Sequence, residues 1–186
     1  MKLRLVLVFI CAGIMFCGCN TPKNVAATAD DNSSLLIWKK DQLLLWTDFR
    51  APADVSVDWS AVTISFIGYQ SIAKNKTLIG AYFNRDQSWH VRIREDLLNH
   101  EQFHFHITEI FAREMRKKVT GQKLKPSSDE FQNLYTKLVK DCAVMQKEYD
   151  DITHHGKDKE AQIIQEKLIN DRLTELTAFE NSVVEY

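Results

Sequence analysis

The sequence has no excess of charge of either sign, no disulfide framework and no apolar run long enough to cross a membrane comfortably. Its 24 basic and 25 acidic residues leave a net charge of -1, so it has no electrostatic footprint for nucleic acid. Three of its four cysteines fall in the first twenty residues, which leaves Cys142 as a small apolar residue on a predicted helix. The chain has no internal repeat. With 186 residues and 45% hydrophobic content, it is sized for one globular domain.

The first nineteen residues predict a lipoprotein signal peptide. Two basic residues open the chain, an apolar run of twelve residues covers 5–16, and the small Gly18 precedes Cys19. The ending Phe-Cys-Gly-Cys resembles a bacterial lipobox, in which cleavage before the cysteine frees its sulfur for lipid attachment. We predict that residues 1–19 are the signal and that Cys19 is lipidated after cleavage. The alternatives are an ordinary secretory signal and an uncleaved anchor.

A polar segment separates this signal from the predicted domain. Residues 20–34 lack hydrophobic periodicity, which is typical of a flexible tether, and residues 35–186 form the domain. Acyl chains on one cysteine would hold that domain stably on a membrane. The predicted location is therefore the bacterial cell envelope, on a periplasmic or surface-facing side.

The centre of the domain is the stretch 97–116, which contains His100-Glu101-Gln102-Phe103-His104. Histidines four apart lie on one helical face, so both imidazoles can reach one metal ion. Glu101 lies about 60° from His104 around the helix, where it can touch a metal-bound water without being a ligand. This is the H-E-x-x-H pattern of zinc hydrolases. His106 and Glu109 point away from this face and are predicted not to bind the metal.

Strands precede this helix and further helices follow it. Alternating residues predict a three-stranded meander over 62–66, 78–83 and 89–93, after one or two short strands at 35–38 and 43–46. A capping box from Ser127 to Glu130 begins a long helix, and a second long helix follows the break at 150–156. The predicted fold class is α+β, with a small antiparallel sheet, the metal helix and two long C-terminal helices.

A catalytic zinc ion usually needs a third protein ligand. Ile107 and Ile110 stand where the metzincin extension requires glycine and histidine, so that subclass is excluded. Glu130 is the nearest candidate for a downstream glutamate ligand but is better used as a helix cap. The remaining source is the His154-His155 pair in the break between the two long helices, and a polar interhelical loop is the alternative reading of that pair.

Further strings around these residues match the motifs of one bacterial family. They are Leu45-Trp46-x-Asp48-Phe49, Ser88-Trp89, Leu98-Asn99-His100-Glu101-Gln102-Phe103-His104-Phe105, Ala112-Arg113 and Tyr149-Asp150-x-x-Thr153-x-His155-Gly156. Over residues 43–173 the chain resembles a family first catalogued as a domain of unknown function, whose members are described as predicted secreted zinc-dependent proteases. The resemblance implies a zincin-like fold, zinc ligands His100 and His104, and catalytic base Glu101. Its Thr-x-His-Gly pattern selects His155 as the third ligand.

These observations predict a membrane-anchored zinc peptidase with one Zn²⁺ per chain and a peptide or protein substrate. Zinc would lower the pKa of its water, and Glu101 would carry the proton to the leaving amine. Tyr149 and His154 are candidates for stabilising the oxyanion, and Asp150 or Asp151 for orienting a ligand imidazole. The strand of Trp89 is a candidate edge for an extended substrate. The alternative function is a non-catalytic zinc-containing lipoprotein that acts as a binding module.

Overall fold

The computed structural model describes residues 33–54, 56–57 and 59–186. The predicted signal peptide, the lipidation site Cys19 and most of the predicted tether lie outside the described residues. Among the helices of the described part, none combines the length and the apolar content needed to cross a bilayer.

The described chain is an α+β domain, which confirms the predicted fold class. Its strands are antiparallel, and its long helices follow all but the last of them. In chain order the elements are β1 (Leu35–Ile37), a 3-10 turn (Trp46–Asp48), β2 (Ala61–Val62), β3 (Ser65–Ala73), β4 (Lys76–Asn84), β5 (Trp89–His90), α1 (Glu95–Gln122), α2 (Asp129–Thr153), α3 (Lys159–Glu175), a 3-10 turn (Thr177–Phe179) and β6 (Val183–Glu185).

Strand β4 is the centre of the main sheet. It pairs with β3 on one side and with β1 and β6 on the other. The predicted turn between β3 and β4 is confirmed, and Asn75 adopts the left-handed φ of 59° that this tight connection requires. The C-terminal strand β6 was not predicted, because its three residues carry too little periodicity to recognise.

Two strand predictions are wrong. One strand pairs with a different partner, and the other is absent. The third strand of the expected meander, β5, pairs with β2 in a separate two-stranded sheet. Ser88 causes this departure: its hydroxyl donates to Asn84 O at 2.7 Å and accepts from Ile64 N at 2.9 Å, which turns the chain out of the main sheet. The apolar stretch 43–46 leads into a 3-10 turn instead of a strand, because Asp48 Oδ2 accepts the Leu45 N–H at 2.8 Å.

Apolar residues occur on several sides of the stretch 97–116, which predicts a helix buried on several sides. Helix α1 does run through the middle of the domain. Ile107, Ala112 and Met115 have no solvent exposure. The helix packs against β3 and β4 and also against α2 and α3. A helix covered on several sides can hold polar side chains only where other groups satisfy them, which is the setting of the candidate metal site.

The two C-terminal helices begin with side-chain caps. The cap of α2 is Ser128, whose oxygen accepts from Phe131 N at 3.2 Å. The predicted capping box from Ser127 to Glu130 is therefore wrong, because the cap lies one residue later and Phe131 has no polar group to complete a box. Asp158 caps α3 by accepting from Ala161 N at 3.0 Å. Between the helices, His154, His155 and Gly156 have φ values of 48°, 55° and 71°. This left-handed turn reverses the chain beside the N-terminal half of α1.

Candidate metal centre

Three side chains from two helices converge on one point. The Nε2 atoms of His100 and His104 lie 3.2 Å apart, and each lies 3.1 Å from Oδ1 of Asp150. The two histidines are one turn apart on α1, whereas Asp150 lies near the end of α2. Within residues 33–186, as far as the structure describes them, these are the only three histidine, cysteine or acidic residues grouped closely enough to hold one metal ion.

The spacing of these atoms fits a zinc ion. Zinc–nitrogen bonds of about 2.0–2.1 Å at tetrahedral angles place neighbouring ligand atoms about 3.3–3.4 Å apart. The three separations in this cluster, at 3.1–3.2 Å, are close to that value. Two imidazoles and one carboxylate also form a ligand set of the catalytic type, which leaves a fourth position open.

Two glutamines orient the imidazoles. Gln162 Oε1 lies 3.0 Å from His100 Nδ1, and Gln146 Oε1 accepts from His104 Nδ1. The Gln146 amide is itself oriented, because its Nε2 donates to His104 O at 2.8 Å. With Nδ1 as the donor on each ring, the Nε2 lone pairs face the common point, which is the tautomer that a metal requires. Sequence reasoning missed both glutamines, although Gln146 lies one helical turn before Asp150, a spacing that could have indicated it.

Electrostatics give the cluster a strong preference for positive charge. Burial opposes a charge on His104, but the carboxylates of Asp150 and Glu101 outweigh it and raise the pKa of His104 to about 9. Burial likewise opposes the charge on Asp150, yet His104 and His100 hold the pKa of that carboxyl well below its usual range. A metal ion in this place would therefore displace a proton from His104 and neutralise the same carboxylates.

The side chain of Glu101 lies beside the cluster. Its residue is 4% exposed, and its side chain lines the cleft above the two histidines. Among the described residues, no group donates a hydrogen bond to its carboxylate. The carboxylate oxygens are open to the cleft, which leaves them free to accept a proton there.

A cleft of about 530 Å³ opens over these residues. The segment 59–65, which includes β2, forms one wall, and the end of α2 with the left-handed turn forms the other. Thr63 Oγ1 donates to Glu101 O at 3.3 Å and so ties the first wall to α1. Trp89, on the strand predicted to offer an edge to substrate, is buried behind this wall in β5, and β2 faces the cleft instead.

The structure places the predicted third ligand at the edge of the cluster. His155 lines the cleft with a half-exposed side chain, and its Nδ1 lies 3.3 Å from Asp150 Oδ1. Asp150, which the sequence suggested as an orienting group, occupies the position of a ligand instead. The neighbouring Asp151 forms a surface ion pair with Lys147.

The two candidates for oxyanion stabilisation lie outside the cleft lining. Tyr149 is 2% exposed, and its ring stacks on His100 with centroids 4.7 Å apart and planes 13° apart. Its hydroxyl accepts a hydrogen bond from Gln162 and supports the imidazole from behind. His154 is exposed and caps the end of α2. Neither side chain reaches the open side of the cluster.

His106 and Glu109 were predicted to point away from the candidate metal ligands, and both side chains do. Trp38 Nε1 donates to His106 Nδ1 at 2.8 Å, and burial together with the Arg113 charge lowers the pKa of His106 to about 4. Glu109 accepts hydrogen bonds from two buried arginines of the same helix, Arg113 and Arg116.

Gly156 is the residue at which the left-handed turn contacts α1. Its φ is 71°, and a Cβ there would lie 3.0 Å from His100 Cγ. We expect Gly156→Ala to destabilise the fold by about 1–3 kcal/mol, because a left-handed non-glycine residue is strained, and to weaken metal binding by displacing the imidazole. Denaturant unfolding and zinc titration measure the two effects.

Gly121→Ala is the matched control for this prediction. A Cβ at Gly121 meets no atom within 4 Å, and the residue lies in the last turn of α1. Alanine there should leave stability unchanged or raise it by up to about 1 kcal/mol. If the two variants unfold at the same denaturant concentration and bind zinc equally, the contact of Gly156 with His100 has no energetic role.

Comparison with known proteins supports the family resemblance. Residues 82–156 match the model of a family described as "Bacterial protein of unknown function (DUF922)". The matched segment begins in β4 and ends at Gly156, so it includes the two histidines, Glu101, Asp150 and His155. No curated protein and no solved structure matches the chain.

Proposed function

We propose that this protein is a zinc-dependent peptidase of the bacterial cell envelope, anchored to a membrane by a lipid on Cys19. One observation carries the enzymatic part: the Glu101 carboxylate, to which no described group donates a hydrogen bond, lies beside three convergent ligand atoms and faces an open cleft. The match to a bacterial family and the lipobox-like ending before Cys19 support the rest.

His100, His104 and Asp150 would hold the metal. A bound zinc ion supplies Lewis acidity, which lowers the pKa of a coordinated water from about 15.7 towards about 7 and polarises a carbonyl. Glu101 is placed to accept a proton at its carboxylate and to deliver it to the leaving amine. Gln146 and Gln162 keep the imidazoles in the tautomer that leaves Nε2 free.

His155 has a role on the substrate side of this arrangement. It lines the cleft, it is half exposed, and its Nδ1 contacts the carboxylate of Asp150. An imidazole held in this way can direct its other nitrogen towards an oxygen that gains negative charge during amide hydrolysis. We therefore propose His155 as a hydrogen-bond donor to that oxygen and Asp150 as the third ligand.

An extended peptide is the substrate that best fits the cleft. Strand β2 pairs only with β5 among the described strands, and its segment forms one wall of the cleft. A free strand edge can add a peptide strand through main-chain hydrogen bonds. The tie from Thr63 to Glu101 would hold a bound peptide bond at a constant distance from the base.

A non-catalytic binding module is the second candidate. The contact of His155 with Asp150 supports it, because His155 could close a structural zinc site as a fourth ligand. A closed site would bind metal but hydrolyse nothing.

Substitution of Glu101 by glutamine tests the enzyme proposal. Zinc affinity should stay within a few-fold of the parent, whereas peptide hydrolysis should fall by about 100-fold or more, since the general base is lost. The measurements are zinc titration and mass spectrometric detection of cleavage in a proteome-derived peptide mixture. The control is Glu148→Gln, an exposed residue of α2 outside the cleft lining. Hydrolysis by Glu101→Gln at the parent rate, or none by the zinc-loaded parent, would reject the proposal.

A further inference from the structure

Four large aliphatic side chains on one part of the surface are open to solvent. They belong to the segments 43–45 and 91–93, and their exposures are Leu43 64%, Leu45 60%, Val91 47% and Ile93 75%. Single exposed aliphatic residues are ordinary on protein surfaces, but a group of them indicates a contact surface.

The two segments lie side by side. The ring of Trp46 lies 4.7 Å from the ring of His90, which brings residue 45 beside residue 91. Val91 N donates to Ser60 O at 2.9 Å, so this surface also borders the cleft wall formed by 59–65. We call these four aliphatic residues the apolar patch.

Basic residues lie close to the apolar patch in the chain. Lys39, Lys40 and Arg92 are exposed, and within the described chain none of them forms an ion pair. Two exposed acidic residues, Asp41 and Glu95, are also nearby in the chain, so the unpaired charge of the surroundings is positive by one. Exposed aliphatic groups among basic ones suit the interface of a membrane that contains anionic lipid.

The patch lies next to the point where the chain enters the described fold. Arg85 donates to Ser33 O at 3.2 Å and, through Nε, to Asp48 Oδ1 at 3.0 Å. Asp48 Oδ2 in turn accepts from Leu45 N at 2.8 Å. The side chains of Arg85 and Asp48 therefore connect Ser33 to Leu45, a residue of the patch. The predicted tether before Ser33 would reach at most about 50 Å from Cys19.

We propose that the apolar patch is the surface by which the domain rests on an anionic lipid bilayer. This inference rests on the proposed lipid anchor at Cys19, which would hold the patch near the membrane throughout. Insertion of the four aliphatic side chains into the lipid, together with contacts between the basic residues and anionic headgroups, would then fix the orientation of the domain. The cleft would open close to the lipid surface, so its substrates would be peptide segments next to the membrane.

A second exposed aliphatic group provides the comparison. Ile163, Ile164 and Leu168 on α3 are 67%, 59% and 54% exposed. Helix α3 contacts α1 at His100 through Gln162, whereas Leu44 N contacts the same helix at Gln102. These two positions are about 200° apart around a helix, so the α3 group lies on the other side of α1 from the patch.

A polarity-sensitive fluorophore attached to each surface reports whether that surface contacts lipid. Membrane-isolated protein with Cys142→Ala would receive one new cysteine, in Leu45→Cys, Ile93→Cys, Ile163→Cys or Leu168→Cys. After labelling, each protein is reconstituted into vesicles of phosphatidylethanolamine and phosphatidylglycerol. We expect emission at positions 45 and 93 to shift to shorter wavelength and emission at 163 and 168 to stay as in water. The triple variant Lys39→Glu, Lys40→Glu, Arg92→Glu should reduce the emission shift at positions 45 and 93.

The labelling step separates the two proposals. A processed and lipidated protein has lost Cys11 and Cys17 and has a blocked Cys19, so the Cys142→Ala parent should take up no dye. Labelling of that parent would reject the anchor and the inference with it. An unlabelled parent with the same water-like emission at all four positions would reject the inference alone. A shift at 45 and 93 that disappears as protein is diluted in excess lipid would assign the patch to a second copy and also reject it.

Discussion

Replacement of Asp150 by alanine is expected to lower zinc affinity by more than about 100-fold, because loss of a ligand should exceed the about 10–100-fold effect of losing an outer partner. Its Oδ1 is equidistant, at 3.1 Å, from the Nε2 atoms of His100 and His104. Without the carboxylate, two imidazoles remain, which is fewer than the three protein ligands of catalytic zinc sites. All peptide hydrolysis should be lost with the metal.

His155→Ala is the matched comparison for the Asp150 variant. His155 is half exposed and contacts the cluster through Asp150, so its loss should lower zinc affinity by about 10-fold, at the lower end of the range for an outer partner. Hydrolysis should nevertheless fall, because the substrate-side donor is missing. His154→Ala should change neither property, since His154 is exposed at the end of α2.

Competition titration with a chromophoric chelator, on variants shown to be folded by circular dichroism, measures these affinities. If zinc affinity collapses in His155→Ala and persists in Asp150→Ala, the ligand predicted from the family motif is the correct one. In that case Asp150 orients an imidazole, as the sequence first suggested.

Glu109→Gln is expected to cost about 3–5 kcal/mol of folding free energy, because it leaves buried charges uncompensated. Glu109 is 1% exposed, and Arg113 and Arg116 are each 2% exposed. Arg113 Nε and Arg116 Nη1 both donate to Glu109 Oε1 at 2.9 Å, and Arg116 Nη2 donates to Oε2 at 3.0 Å. Glu109 therefore contacts both buried guanidinium groups, and Glu180 Oε2, which lies 3.4 Å from Arg113 Nη2, supplies the second negative charge.

This network also joins α1 to distant parts of the chain. Arg116 Nε donates to Ile79 O in β4 at 2.8 Å, and Arg113 Nη1 donates to Leu173 O in α3 at 2.9 Å. Of the residues that the structure describes, Glu109 is the one group that contacts both arginines through its side chain. Its loss should therefore loosen the contacts of α1 with the sheet and with α3 together.

Asp141→Asn is the control, because it breaks the exposed pair of Asp141 with Lys137 on α2. Such pairs contribute about 0.3–0.5 kcal/mol, so this variant should unfold close to the parent. Urea unfolding followed by far-ultraviolet circular dichroism measures both variants. A Glu109→Gln protein within about 1 kcal/mol of the parent would show that water or relaxation compensates the arginines.

Local patterns accounted for the long helices and for strands β1, β4 and β5, but not for β6 or for the pairing of β5. Apolar residues on many sides of 97–116 indicated a buried helix, and α1 is buried as predicted. The strand at Trp89 was located correctly, yet its partner is β2 and not β4. Strand pairing depends on groups far apart in the chain, such as Ser88 with Ile64, and no local period records them.

The sequence by itself determined the helix that places His100, Glu101 and His104 on one face, because four residues complete about one helical turn whatever surrounds the helix. Only the tertiary structure decided what meets that face. The approach of α2 brings Asp150 and Gln146 to the imidazoles, and the approach of α3 brings Gln162. These contacts join residues more than forty positions apart, and the packing of whole helices sets them.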